Sequence, residues 1–81
     1  MNSPCAAAAA IHKELYYTER MLVMIERLGG SASLPEKMQA QLDGTTQSYS
    51  RLLDEPVTSL EAFTSRAQTV RFRLNKIYTA Q

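Results

Sequence analysis

The sequence contains no tryptophan, one cysteine (Cys5) and one histidine (His12) in 81 residues. One cysteine excludes a disulfide within the chain. One histidine without a cysteine pair leaves no ligand set of the kind that holds zinc, so neither metal nor cofactor is expected. The same scarcity bears on catalysis. A general acid–base pair or an activated nucleophile needs a partner at hydrogen-bond distance. The polar neighbours of His12 in sequence, Glu14 and Tyr16, make no recognised pairing with it. His12 therefore reads as a surface or boundary histidine, Cys5 as a minor thiol near a helix start, and the chain as no enzyme.

Long apolar runs are also missing, so no segment is expected to span a membrane. The stretch Met1–Ile11 is alanine-rich but has no basic region ahead of it and runs directly into a charged helical pattern. It reads as helix rather than as a signal peptide, and with the single cysteine it points to a cytoplasmic protein. Excess charge is absent too: the net value is +1, far from the strongly positive balance of a generic nucleic-acid binder. The cations are uneven, however. Arg66, Arg71, Arg73 and Lys76 stand against Glu61 alone in the last third of the chain.

What is present is helical periodicity. Ile11, Leu15, Thr18, Leu22 and Ile25 recur in alternating steps of four and three, a stripe along one helix face. Tyr17, Met21, Met24 and Leu28 make a second stripe beside it. Gly29-Gly30 predicts the C-terminal cap, and Ser33-Leu34-Pro35-Glu36 has the form of a capping box that opens a second helix. That helix carries Met38, Leu42, Thr45, Tyr49 and Leu52, with Gly44 as an expected soft point. Asp54-Glu55-Pro56 breaks the pattern, and Thr58-Ser59-Leu60-Glu61 predicts another capping box. The third helix has the most regular seam: Leu60, Phe63, Ala67, Val70, Leu74 and Ile77.

These signals predict one all-α domain over residues 1–81, with helices at about 5–28, 34–53 and 59–79. Short connections make consecutive helices antiparallel neighbours. The expected architecture is an up-down-up three-helix bundle, or a helical hairpin with an additional packed helix. A chain this short has a thin stability margin, so association with another protein or with a second copy of itself is part of the expectation.

One residue of the third helix falls outside its seam. Phe72 lies opposite the apolar stripe, between Arg71 and Arg73 in sequence, and is either a solvent-facing aromatic or packed on the alanine-rich start. An exposed aromatic beside arginines has the composition of a binding hot spot. The partner-binding candidates are Phe72, Arg71, Arg73, Arg66 and Lys76 on the third helix, and Tyr17, Met21 and Met24 on the first. The two methionines either meet a partner or face the third helix. The leading functional expectation is a non-enzymatic protein–protein interaction module: an adaptor, chaperone, inhibitor or regulatory subunit. The alternative is nucleic-acid binding through the basic third helix. The layout of short helices joined by a glycine-containing turn also resembles the small helical chaperones of bacterial type III secretion needle subunits. That resemblance implies a heteromeric complex that shields an aggregation-prone helical protein.

Overall fold

Helix α1 spans Pro4–Arg27 in the computed structural model, which describes residues 4–80. Its start follows from proline, whose missing N–H is not needed in a first turn, and from the alanine run behind it. Its end follows from two glycines. Gly29 has φ +114° and Gly30 φ +61°, conformations that a side chain penalises. The chain then makes a short 3₁₀ turn, Gly30–Ser33, and places Leu34 in the core. Helix α2 covers Glu36–Asp54 and runs unbroken through Gly44. Helix α3 covers Leu60–Thr79. Among the described residues there is no strand.

Both predicted capping boxes change in detail. Ser33 lies inside the 3₁₀ turn, where its hydroxyl donates to the Gly30 carbonyl at 2.9 Å, so it cannot cap α2. Pro35 disfavours helical backbone at the residue before it, and Leu34 is extended, with φ −99° and ψ 148°. The helix therefore begins at Glu36 rather than near residue 34. The Gln39 side-chain amide ties this corner together by donating to the Leu34 carbonyl at 2.8 Å. At α3 the cap is Ser59, not Thr58: its hydroxyl oxygen accepts from the Ala62 N–H at 3.3 Å. Glu61 is left in the first turn, where its charge suits the positive end of the helix, but outside the reciprocal position of a capping box.

The three apolar stripes all turn inward. Ile25, Leu42, Leu52, Phe63, Val70, Leu74 and Ile77 are buried, with Ile11, Leu15, Leu22, Met38 and Tyr49 packed against them. Each large side chain removed from water contributes about 1.5–3 kcal/mol. Two threonines sit in the same core. The Thr18 and Thr45 hydroxyls donate to the Glu14 and Gln41 carbonyls of their own helices, each at 2.7 Å, so burial leaves neither donor unmet.

Helix directions follow from which residues face one another. Gln41 and Gly44, early in α2, lie across from Arg73 and Ile77, late in α3. Arg51 and Leu52, late in α2, lie across from Ser65 and Arg66. Leu22 and Ile25, near the end of α1, lie across from Leu42 of α2. The arrangement is an up-down-up three-helix bundle. Consecutive helices are antiparallel, as expected, but they do not pack equally: α3 is the helix against which both others pack, and the α1 and α2 backbones approach each other little. The 3₁₀ turn contacts both of them, and Leu34 is buried in the core. In α3, the fully buried Ala67 has no bulk to hinder close approach by a neighbour. The result is an elongated body of 45 × 18 × 17 Å.

Candidate interaction surface

Arg71, Phe72 and Arg73 point in three directions, because successive helical residues are rotated by nearly a third of a turn. Arg71 turns toward α1, where its guanidinium meets the Glu14 carboxylate. Phe72 turns away from the core and is 61% exposed. Its ring carries the Lys76 ammonium 4.7 Å from the centroid, a cation–π contact between residues one turn apart. Arg73 turns toward α2. The structure thus separates Arg71 from the other candidates and brings Phe72, Lys76 and Arg73 onto one side of α3.

Between α2 and α3 runs a groove made of two contiguous hollows, about 460 and 270 Å³, that share Arg73. Arg51, Arg66, Arg73 and Lys76 line it, and no carboxylate does. Arg66 is drawn to one end by Glu55 at 2.9 Å, a half-exposed pair of small energetic weight. Among the described residues, Arg51, Arg73 and Lys76 have no ion-pair partner. Leu52, Val70 and Ile77 make an apolar floor. Gly44 leaves the larger hollow open on its α2 side, since a Cβ there would meet nothing within 4 Å. Sequence reasoning missed Arg51 and the groove. Their signal, an arginine on one side of α2, acquires meaning only once that side is known to face α3.

The first-helix candidates form a separate edge. Tyr17 is exposed and stacks edge to face on Tyr16, with centroids 5.6 Å apart and planes at 71°. Met21 is half-buried against the core and Met24 is half-buried beside it, while Leu28 is exposed. Met21 therefore serves the bundle at least in part. On the α2 side, burial and then the Glu19 carboxylate push the Tyr49 hydroxyl above its ordinary pKa. His12 and Cys5 are exposed. Among the described residues no cluster of three or more histidine, cysteine or carboxylate groups could hold a metal ion. Among the described residues, no helix is long and apolar enough to cross a membrane. No known protein family, no curated protein and no solved structure matches the chain.

Proposed function

We propose that the protein is a protein–protein interaction module without catalytic activity, acting as an adaptor, chaperone, inhibitor or regulatory subunit in the cytoplasm. Phe72 carries this reading. A large rigid ring stands in solvent, 61% exposed, opposite a core that is complete without it. Aromatic rings beside cations are the side chains on which interfaces concentrate their binding energy. The single unpaired cysteine suits a reducing compartment.

Phe72→Ala tests the proposal. The tagged chain is used to capture partners from its native source, and these are identified by mass spectrometry for wild type and variant. Unchanged circular dichroism with loss of a specific protein is expected, at a cost of about 2 kcal/mol or more for a hot-spot ring, roughly thirtyfold in affinity. A variant that unfolds makes Phe72 a structural residue, and a variant with undiminished capture removes the hot spot. Nucleic-acid binding through α3 has weaker support, because Arg71 and Arg66 are engaged by Glu14 and Glu55 and only Arg73 and Lys76 remain for phosphates. A gel shift at low salt, where phosphate contacts are strongest, separates the two readings.

A further inference from the structure

We infer that the α2–α3 groove is the seat of an acidic, amphipathic helix of a partner protein, held by Arg51, Arg73 and Lys76 over the floor of Leu52, Val70 and Ile77. This rests on the interaction-module reading and names the site and the partner chemistry for it.

Three observations converge on that occupant. The first is charge. Four cations line the groove with no carboxylate among its walls, and three of them are without an ion-pair partner among the described residues. Like charges gathered along a low-dielectric wall create a positive potential that an anionic segment relieves. The second is shape. The floor is apolar, and Gly44, on the wall of the larger hollow, leaves room beside it. The groove runs from Gln41 to Arg51 along α2, about 15 Å at a helical rise of 1.5 Å per residue, which three turns of helix would cover. The third is spacing. Arg73 and Lys76 stand three residues apart along α3, an interval at which one helix presents side chains on one face. An occupant with glutamates at that interval and leucines between them matches both the walls and the floor.

Two other occupants fit less well. A nucleic acid would meet a chain of net charge +1, with Glu36, Asp43 and Asp54 on the outward face of the same α2 helix. It would also have no use for an apolar floor. A second copy could offer that acidic α2 face, but the residues among its acids, Ala40, Gln47 and Ser50, supply no large apolar ridge to fill the groove.

The test uses fluorescence anisotropy with the full chain and three fluorescein-labelled probes. One is an eighteen-residue amphipathic peptide with leucine and glutamate at alternating steps of three and four. One is the same peptide with lysine for glutamate, and one is a single-stranded RNA of similar length. The glutamate peptide is expected to bind, more weakly as salt is raised, and the lysine peptide not to bind. Two variants locate the site. Arg73→Glu reverses a wall charge. Gly44→Leu fills the open side of the larger hollow, and because leucine is a better helix former than glycine it leaves the fold intact by circular dichroism. Each is expected to weaken the glutamate peptide about tenfold, roughly 1.4 kcal/mol. Amide shifts in a nitrogen-15 spectrum are expected at Gly44, Ser48, Ser65 and Thr69. Equal binding of the two peptides, tighter binding of RNA, or indifference to both variants overturns the inference. Indifference of the groove variants together with loss of partner capture in Phe72→Ala overturns the groove alone and leaves the interaction module standing.

Discussion

The Glu14 carboxylate of α1 and the Arg71 guanidinium of α3 lie 2.5 Å apart, with only 12% and 23% of their side chains exposed. The pair bridges the two helices beside the apolar seam. It also explains why Arg71 is absent from the exposed surface that its neighbours form.

Removing one member leaves the other as a shielded charge with no partner. Glu14→Gln is expected to destabilise the protein by about 1–3 kcal/mol, below the range for a fully buried pair because water still reaches Arg71. The double variant Glu14→Leu, Arg71→Leu is expected to recover most of that loss, since apolar side chains of similar size remove both desolvated charges. Urea midpoints for the singles and the double complete the cycle. Single variants as stable as wild type would show that the bridge contributes nothing.

The glycines are expected to divide by sign. Gly44→Ala should stabilise by about 1 kcal/mol, because it adds helix propensity in open space. Gly29→Ala and Gly30→Ala should each destabilise by about 1–3 kcal/mol, the usual cost of forcing a side chain into positive φ. Gly29 should be the worse of the two. A Cβ there would lie 2.7 Å from the Ser33 Cβ, whereas at Gly30 the 2.7 Å clash is with the end of the flexible Glu26 side chain. Thermal midpoints decide the order, and a stabilising Gly29→Ala would contradict the turn geometry.

Alkaline pH should weaken the fold through Tyr49. Its pKa is raised above 10.0 in the folded chain by burial and then by Glu19, so the folded state holds the proton more tightly than the unfolded state. The stabilisation is fully present below pH 10 and is lost as pH climbs through the folded pKa. Urea titrations at pH 8 and above pH 10 should show wild type losing more stability than Tyr49→Phe. Equal losses would remove Tyr49 as the cause.

Much of the fold is legible along the chain. The stripes through Thr18 and Ile25, through Leu42 and Thr45, and through Phe63 and Leu74 predict the faces that are buried. Gly29 and Pro56 mark the breaks, and the offset of Phe72 to the seam sets it apart from the core stripe without deciding between solvent and the alanine-rich start. The capping details do not follow as well. Ser33 and Glu36 satisfy a spacing rule, but Pro35 and the 3₁₀ turn claim the local backbone first. The candidate surface is legible only in pieces. Arg71, Phe72 and Arg73 are adjacent in sequence, yet helical rotation sends one to Glu14, one to solvent and one to the α2 groove.

Local periodicity and turn chemistry thus determined the helices, their inward faces and the offset of Phe72 from the seam, because those properties depend on residues within a few turns of one another. Packing alone decided that α3 lies against both other helices, that Glu14 neutralises Arg71, and that Arg51 joins Arg73 and Lys76 around an apolar floor. Those outcomes depend on which face of one helix meets which face of another, and that is set by how all three stripes share a single core.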